Sequence, residues 1–596
     1  MTPKRTHTCG ELRGQHIGQD VVLCGWVGSR RDHGGLIFID VRDRYGITQV
    51  VFSPERTPDA HNVAADLRSE YVVAVRGKVC PRPEGTVNRE LPTGEIEVEA
   101  VEVEVLNTSL TPPFEIEGRT DVAEDVRLRY RYLDLRRPAM RERLVKRHHV
   151  IKALRDYFSE QGFIEVETPC LTRSTPEGAR DFVVPSRMYH GSFYALPQSP
   201  QLFKQLLMVA GFDKYFQFPR CYRDEDPRSD RQVEHTQLDL EMSFVDSDDV
   251  IGTVEGALQK VCKAALGHDV ELPFRRMTWH EAMRLYGTDK PDLRFGVEIA
   301  DISDLAAATE FKVFKSVVDK GGVVRGICAP GGAKYTRREI ETGLTEYAAG
   351  FGAKGLAWMK LDAGKLVSSI AKFFSEAQQA EMVKRLGAKD GDLLLFVADE
   401  ESVVCQALGE LRVRLGAELG LYDADKLCFL WVVDFPMFGW NEDEKRCDPL
   451  HHPFTSPKDE DADKLETAPL ECRAKAYDVV LNGTELGGGS IRIHDPEVQM
   501  RMFKALGIPD DEAQDRFGHL LRALSYGAPP HGGIALGLDR VVMMLAGGKS
   551  LRDVIAFPKT NKGVDLMMDA PARVDEDQLA ELYISTSGCD YDNGKE

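Results

Sequence analysis

The sequence lacks the short signatures of several large enzyme classes. Its twelve cysteines are scattered and never form a CxxC pair, which argues against both a zinc knuckle and a disulfide framework and predicts reduced thiols. No G-x-G-x-x-G follows a strand, and Gly547-Gly548-Lys549-Ser550 lacks the first glycine of a phosphate-binding loop. These absences exclude Rossmann-type dehydrogenases and P-loop nucleotidases.

Long apolar runs are missing as well. The first twelve residues contain no apolar core of signal-peptide length, and no later stretch approaches a transmembrane span. A composition of 42% hydrophobic and 29% charged residues is typical of a globular protein, which we expect in the cytoplasm. A net charge of −20 argues, taken alone, against nucleic acid as a partner. A large acidic body can nevertheless carry a local basic face.

Alternating apolar and polar residues come first along the chain, from about residue 14 to residue 108. Gly, Pro and Asp turns separate the apolar runs, and five short strands of this kind predict an OB-fold barrel or another small β domain. The predicted strands are Val21–Val27, Leu36–Val41, Thr48–Phe52, Val72–Gly77 and Glu95–Val105.

A chain of 596 residues is expected to form two to four domains. Thr111-Pro112-Pro113 ends the strand pattern, and helical spacing of apolar residues begins near Arg141. Residues 287–425 interrupt two catalytic-looking stretches and are therefore interpreted as an insert. The predicted division is a barrel (1–110), a hinge (111–140), a first catalytic part (141–286), the insert (287–425), a second catalytic part (426–570) and a C-terminal extension (571–596).

Three segments carry the candidate chemistry. The stretch from Phe218 to Phe244 predicts a hairpin that presents Arg223 and Glu225 on one face. A guanidinium suits a phosphate and a carboxylate accepts from an amine, although an ordinary surface ion pair would give the same pattern. A later segment, residues 532–540, is a glycine-rich strand that runs into a helix. An earlier segment, residues 162–169, is a strand that ends at a proline.

In their order along the chain, these segments resemble the three motifs of class II aminoacyl-tRNA synthetases. The chain as a whole is most similar to the bacterial aspartyl-tRNA synthetases. The resemblance implies an α+β multidomain fold with an N-terminal OB-fold anticodon-binding domain, an antiparallel catalytic sheet and an inserted GAD domain. It also implies a homodimer built on the first motif. The implied reaction is ATP-dependent formation of aspartyl adenylate, followed by transfer of aspartate to tRNA.

The same resemblance implies the roles of individual residues. Arg223 would bind the α-phosphate and the activated carboxyl group, Arg540 would hold the γ-phosphate, and Asp478 with Glu485 would hold Mg²⁺. The implied ATP-binding residues are Arg223, Asp224, Glu225, Gln232, His235, Glu485, Gly537, Leu538, Asp539 and Arg540. The implied aspartate-binding residues are Glu177, Ser199, Gln201, Lys204, Arg223, Asp239, His451, His452 and Arg492. His235 departs from the family pattern, which has an aromatic ring that stacks on adenine.

For the barrel, the resemblance implies contacts to the anticodon. Phe38 and Gln49 would stack on and hydrogen-bond the central base, Arg30 and Arg31 are natural phosphate contacts, and core packing is the alternative for Phe38. His33 and Gly85 resemble the residues of non-discriminating enzymes that charge both tRNA(Asp) and tRNA(Asn). Asp-tRNA(Asn) would then pass to a tRNA-dependent amidotransferase.

Three other interpretations remain open from the sequence. One is a strict tRNA(Asp) ligase. The second is a catalytically silent paralogue that serves as a tRNA-binding or regulatory module. Five intact residues argue against it: Arg223, Glu225, Glu485, Arg492 and Arg540. The third is an ammonia-using asparagine synthetase on the same fold, which would not need an anticodon-type barrel.

Overall fold

The computed structural model describes residues 4–118, 121–174, 179–226 and 230–586. The chain divides into two compact units. The first comprises Met1–Arg147, Asp226–Gln232 and Gly548–Arg573, and the second comprises His148–Glu225, Val233–Gly547 and Val574–Glu596. Among the described residues, no helix combines the length and the apolar character needed to cross a bilayer.

The first unit begins with a closed five-stranded barrel, as the alternation predicts. Its strands follow the order β1-β2-β3-β5-β4, and the inward positions Ile37, Ile39 and Val41 belong to one apolar core. The elements are β1 (Asp20–His33), β2 (Leu36–Arg42), β3 (Ile47–Phe52), α1 (Pro58–Ala65), β4 (Val72–Pro81) and β5 (Ile96–Asn107). The period of two therefore identifies the strands and also the side of each strand that faces the core.

After the barrel come three helices, α2 (Glu124–Arg129), α3 (Arg131–Asp134) and α4 (Pro138–Glu160). The buried guanidinium of Arg131 donates to the carbonyl oxygens of Arg552, Ile555 and Ala556. A guanidinium has only N–H donors, and each of them needs an acceptor when the group is buried. These hydrogen bonds therefore hold residues 548–573 against the hinge. The sequence division assigns most of that stretch to the second catalytic part.

The second unit starts with the elements that carry the first two motifs. They are β6 (Ile164–Glu165), β7 (Val183–Pro185), β8 (Phe193–Ala195), α5 (Gln201–Val209), β9 (Lys214–Gln217), β10 (Arg220–Tyr222), β11 (Glu234–Ser243), α6 (Ser247–Leu266), β12 (Arg275–Thr278) and α7 (Trp279–Tyr286). Helix α6 shows why such elements start and stop where they do. Asp246 caps its first turn through the N–H groups of Asp248 and Asp249, and Gly267 ends it in the left-handed region.

The inserted segment forms its own antiparallel sheet, in the order β13-β14-β17-β15-β16. Its elements are β13 (Ala300–Asp301), α8 (Ser303–Ala307), α9 (Lys312–Val318), β14 (Val323–Ala329), α10 (Thr345–Ala349), β15 (Ala357–Asp362), β16 (Lys365–Val367), α11 (Glu376–Arg385), β17 (Leu393–Asp399) and α12 (Glu401–Glu418). Arg412 on α12 is fully buried and donates to the carbonyl oxygens of Asp292, Phe295 and Val297. This contact fixes the entry to the insert against its longest helix.

The chain then returns to the catalytic sheet. The remaining elements are β18 (Phe429–Val433), β19 (Phe438–Asn441), β20 (Arg446–Pro449), β21 (Ala476–Leu481), β22 (Thr484–Ile491), α13 (Pro496–Ala505), α14 (Asp510–Leu524), β23 (His531–Gly537), α15 (Leu538–Leu545) and α16 (Glu576–Glu581). The sheet order is β12-β18-β21-β22-β23-β11-β9-β6, with β10 paired to β11. All pairings are antiparallel except β12–β18 and β6–β9 at the two ends.

Candidate active site

The centre of the catalytic sheet holds a buried cluster of four charged side chains. Asp239 and Glu241 lie two residues apart on β11, so they face the same side of the sheet. Lys204 reaches them from helix α5, with its Nζ 3.0 Å from Asp239 Oδ1 and 3.5 Å from Glu241 Oε2. All three side chains are at most 1% exposed, so their charges interact with little screening from water.

Arg492, directly after β22, completes the cluster. Its Nε and Nη2 donate to the two carboxylate oxygens of Glu241 at 2.8 and 3.1 Å. Its Nη1 donates to Ser490 Oγ at 2.7 Å and to His452 Nε2 at 2.6 Å. A guanidinium carries five N–H groups, and these contacts among the described residues use four of them.

Pairing decides the ionisation of this cluster. Burial alone would raise the pKa of Glu241, but the positive charges of Arg492 and Lys204 lower it below its ordinary value. Burial raises the pKa of Asp239, since Lys204 offsets only part of that effect. The two carboxylates two residues apart therefore differ: Glu241 is held as an anion, and Asp239 takes up a proton more readily.

Two adjacent histidines border the guanidinium. Burial and the positive charge of Arg492 lower the pKa of His451 to about 4, and the same two causes hold the pKa of His452 well below its ordinary value. Both rings are therefore neutral at pH 7. A neutral His452 has a nitrogen lone pair that accepts from Arg492, which an imidazolium lacks.

Several buried polar atoms of the site have no hydrogen-bond partner within the described part of the chain. They are Gln201 Nε2, Arg223 Nε, Asp239 Oδ2, His451 Nε2 and Asp478 Oδ1. All five belong to residues for which the family resemblance implies a substrate or metal contact. Buried polar groups are normally paired, so these five atoms are suited to contact a ligand.

The loop of the second motif differs in one respect from its prediction. Strand β10 ends at Tyr222, so Arg223 and Glu225 lie beyond the strand and not on one face of a regular hairpin. The backbone N–H of Arg223 donates to Val233 O at 2.8 Å, and that of Asp224 donates to Arg180 O at 3.0 Å. The hairpin itself is present, since β10 pairs with β11 and places Cys221 opposite His235.

The third motif joins the strand β23 to helix α15. Arg540 Nη1 donates to the backbone oxygen of Glu485 at 2.6 Å. The buried carboxylate of Asp539 accepts from the backbone N–H of Thr236 at 2.9 Å. Gly537 precedes the buried Leu538 at the helix start. Arg540 thus contacts the backbone of β22, and Asp539 connects the helix to β11.

Asp478 on β21 and Glu485 on β22 form a second acidic site. Burial and the negative charges of Glu485 and Asp289 raise the pKa of Asp478 well above its ordinary value. Buried carboxylates that destabilise each other suit a hard cation with oxygen ligands, such as Mg²⁺. The described residues contain no group of three or more His, Cys, Asp or Glu side chains that could hold a metal. Two carboxylates are enough protein ligands for Mg²⁺, because this ion usually keeps several waters and binds substrate phosphates as well.

Two glycines allow carboxylates of these sites to lie close to the backbone of the sheet. A Cβ atom on Gly488 would collide with Asp478 Oδ1, and one on Gly533 would collide with Glu241 Oε2 and with the backbone oxygen of Leu240. Both glycines lie in central strands of the sheet. Close approach of carboxylates to the backbone therefore requires glycine at both positions.

The remaining predicted residues lie in different places. Ser199 Oγ accepts from the backbone N–H of Gln201 at 3.2 Å, at the start of helix α5. Gln232 belongs to the first unit, where its Oε1 accepts from the backbone N–H of Lys559 at 3.0 Å. Glu177 lies outside the described residues.

On the barrel, Phe38 faces away from the core. Its neighbours Ile37 and Ile39 belong to the apolar core cluster, whereas Phe38 does not and is half-buried. Gln49 Nε2 donates to Glu97 Oε2 at 2.9 Å, and Gln49 Oε1 accepts from Arg31 at 3.4 Å. An aromatic ring that points away from the core of an OB-fold is suited to stacking on a base.

The other predicted tRNA contacts lie in exposed turns and strand ends. Arg30 and His33 are exposed near the end of β1, and Gly85 is exposed with a φ of +86°. Arg30 Nε donates to the carbonyl oxygen of Ala64 at 3.2 Å. A side chain other than glycine would be strained at position 85.

Three residues of these sites are not among those predicted from the sequence. Glu241 and Ser490 contact Arg492, and Glu97 contacts Gln49. The period of two on β11 places Glu241 on the same face as Asp239, so that signal was available. Ser490 likewise lies two residues before Arg492. No comparable signal exists for Glu97, because its partner Gln49 lies 48 residues away on another strand.

Comparisons with known proteins match both parts of the molecule. The family model "tRNA synthetases class II (D, K and N)" matches residues 123–561, and "OB-fold nucleic acid binding domain" matches residues 21–106. The aspartate–tRNA(Asp/Asn) ligase of Caldanaerobacter subterraneus subsp. tengcongensis is 56% identical over 98% of each chain. The aspartate–tRNA ligase of Macrococcus caseolyticus is 55% identical over 97% of this chain and 98% of its own. Crystalline asparaginyl-tRNA synthetase of Pyrococcus horikoshii has a TM-score of 0.59 at 19% identity, covering 96% of this chain and all of its own.

Proposed function

The chain belongs to the class II tRNA synthetases of the D, K and N group, and from this we propose that it attaches L-aspartate to tRNA(Asp) and to tRNA(Asn). ATP is the second substrate, and aspartyl adenylate is the intermediate. The observation that carries the proposal is the buried arrangement of Arg492, Lys204 and Asp239, which offers two cations and one acceptor in one place.

This arrangement suits an amino acid with an acidic side chain. Arg492 and Lys204 provide positive charge in a region from which water is excluded, where a carboxylate is bound far more strongly than at the surface. The unpartnered Oδ2 of Asp239 is an acceptor for the substrate ammonium group. The neutral side-chain amide of asparagine would form weaker hydrogen bonds with a guanidinium and an ammonium group than a carboxylate does, so the site should reject it.

The reaction needs positioning more than it needs a nucleophilic side chain. The α-carboxylate of aspartate attacks the α-phosphorus of ATP, and pyrophosphate leaves. Arg223 is assigned to the α-phosphate and the attacking carboxylate, and Arg540 to the γ-phosphate. Both residues neutralise negative charge as it is redistributed, which is the main source of rate enhancement in phosphoryl and nucleotidyl transfer.

Asp478 and Glu485 are assigned to Mg²⁺. When bound, the metal would neutralise phosphate oxygens and favour the departure of pyrophosphate. The unpartnered buried oxygen of Asp478 supports this assignment, because an unpaired buried carboxylate oxygen is costly unless a cation binds it. The remaining ATP contacts are assigned to Asp224, Glu225, Gln232, His235, Gly537, Leu538 and Asp539.

The barrel is assigned to the anticodon, with Phe38 stacking and Gln49 hydrogen bonding. His33 and Gly85 are assigned to the tolerance of two tRNAs, because neither a polar ring nor a glycine offers a bulky apolar group that would exclude one base. Charging of both tRNAs means that a tRNA-dependent amidotransferase must convert Asp-tRNA(Asn). We place the protein in the cytoplasm, where tRNA is charged.

Two assays test this proposal. Exchange of pyrophosphate into ATP should depend on aspartate and be absent with asparagine, and its absence with both amino acids would instead favour a silent tRNA-binding paralogue. Transcripts of tRNA(Asp) and tRNA(Asn) should both accept aspartate. Charging of tRNA(Asp) alone would favour the strict ligase.

A homodimer is the assembly we propose. Strand β6 is an edge of the catalytic sheet, and its Ile164 is half-exposed, as are Val183 and Phe193 on β7 and β8. Exposed apolar side chains at a sheet edge are typical of an interface between subunits. Sedimentation equilibrium should give twice the chain mass, and Ile164→Asp should shift the protein towards monomer. A monomeric parent would contradict the assembly.

A further inference from the structure

A cavity of about 410 Å³ lies on the first unit, beside the barrel. Its volume is in the range of small-molecule and nucleotide sites. Apolar parts of Cys24, Gly25 and Val72 line it together with two aromatic rings, Trp26 and Tyr45. The predicted catalytic and anticodon residues do not line this cavity.

Two guanidinium groups belong to the lining. Arg44 lies over the Tyr45 ring at 4.6 Å from its centroid, and its Nη2 donates to the Tyr45 hydroxyl at 2.9 Å. Arg5 lies 5.8 Å from the same ring, and its side chain is 47% exposed. Tyr45 itself is 53% exposed, so both the ring and the cations are accessible to a ligand.

The one acidic residue of the lining is already paired. Asp43 accepts from the backbone N–H groups of Cys9, Tyr45 and Gly46 at 2.9, 2.7 and 3.1 Å. It also forms a 3.6 Å ion pair with Arg5. The charges that remain to attract a ligand are therefore positive, in a chain whose net charge is −20.

The cavity lies at the opposite end of the strands from the predicted anticodon contacts. Trp26 pairs with Arg42, whereas Arg31 pairs with Phe38, in the same β1–β2 ladder. Arg31 lies five positions after Trp26 on β1, which corresponds to about 17 Å of strand. A ligand in the cavity is therefore a different group from the central anticodon base.

We propose that this cavity binds a nucleotide of tRNA outside the anticodon, with its base against Tyr45 and Trp26 and its phosphate between Arg5 and Arg44. Aromatic rings bind bases of any type by stacking, and guanidinium groups bind phosphate in a bidentate manner. A nucleotide combines both chemistries, and in RNA it is part of a longer chain. The inference rests on the proposed function, since it takes tRNA as the partner.

The test is tRNA binding by Tyr45→Ala and Arg44→Ala in the full-length protein. Filter binding with a tRNA(Asp) transcript over a series of salt concentrations gives both the affinity and its salt dependence. Tyr45→Ala should weaken binding about tenfold, and Tyr45→Phe should restore most of it. Arg44→Ala should lower the slope of log affinity against log salt by about one. Arg56→Ala is the matched control, because Arg56 is an exposed barrel arginine that is paired with Glu99.

Aspartate-dependent pyrophosphate exchange needs no tRNA and should be unchanged in every variant. A parent protein without this exchange would refute the proposed function. A parent with normal exchange whose Tyr45→Ala variant binds tRNA within twofold of the parent would refute the cavity inference alone. Unchanged tRNA affinity with a changed mass in sedimentation equilibrium would also refute it, and would assign the cavity to a second copy of the chain.

Discussion

Substitution of Arg492 by methionine is predicted to damage stability and aspartate binding together. The guanidinium is 1% exposed and forms two charged hydrogen bonds with Glu241, which is fully buried. Without it, Lys204 at 3.5 Å is the one ion-pair partner left to Glu241 among the residues that the structure describes. Removal of one partner of a buried ion pair costs about 3–5 kcal/mol in the free energy of unfolding. For a unit of this size that is roughly 2 °C per kcal/mol, or about 6–10 °C in Tm.

Thermal unfolding at a single scan rate measures the effect, because large proteins unfold irreversibly and their Tm depends on the rate. The double variant Arg492→Met with Glu241→Gln should recover part of the loss, since it leaves no buried charge without a partner. Arg501→Met is the matched control, because Arg501 pairs with Glu466 at the partly exposed surface. Its Tm should stay within about 1 °C of the parent, as expected of surface pairs.

The same variant should bind aspartate poorly. Charged hydrogen bonds contribute about 1.5–3 kcal/mol each, so the KM for aspartate in pyrophosphate exchange should rise about 100-fold while the KM for ATP changes little. A Tm within 2 °C of the parent would show that the pair does not hold the centre of the sheet together. An unchanged KM for aspartate would show that Arg492 does not select the substrate.

Four further predictions follow from the site. Arg223→Gln should lower kcat/KM for exchange by about 100-fold or more for both ATP and aspartate, and an effect on one substrate only would contradict a shared contact. Asp478→Asn should raise at least tenfold the Mg²⁺ concentration that half-saturates ATP binding, measured by equilibrium dialysis. Groups that support a metal typically contribute about 10–100-fold to its affinity. An unchanged Mg²⁺ concentration at half-saturation would remove Asp478 from the metal site. The pKa of His451 is lowered to about 4, so between pH 6.5 and 4 the unfolded chain binds more protons and stability falls as pH falls. His451→Gln should reduce that slope by up to about 1.4 kcal/mol per pH unit, measured by unfolding at several pH values, and an equal slope in both proteins would contradict burial of a neutral ring. His33→Leu should reduce charging of tRNA(Asn) about tenfold and leave tRNA(Asp) charging near normal, and equal losses on both transcripts would remove His33 from discrimination.

Local periodicity predicted the elements well. The alternating runs of the barrel correspond to β1–β5, and the helical spacing after Arg141 corresponds to helix α4. Both patterns depend on which side of an element is buried, and that information is local. The position of Arg223 was less predictable, because strand β10 ends one residue before it, and strand ends are the least certain part of such a prediction.

Contacts between distant parts of the chain could not be predicted from the sequence. Glu241 and Arg492 are 251 residues apart, and nothing in the local sequence of either residue indicates the other. Arg131 and Arg552 are 421 residues apart, and nothing in the local sequence of either residue indicates their contact. The family resemblance supplied the roles of Lys204, His452 and Arg492, but it did not indicate that Glu241 holds the guanidinium.

The two glycines beneath the charged clusters limit how this enzyme can change its amino-acid preference. A single methyl group at Gly533 would displace the carboxylate that orients Arg492, and one at Gly488 would displace Asp478. Variants with altered selectivity should therefore arise at the sides of the site, on helix α5 or in the 451–454 loop. In a library that randomises all of these positions, the two glycines should tolerate no other residue while the sides accept many.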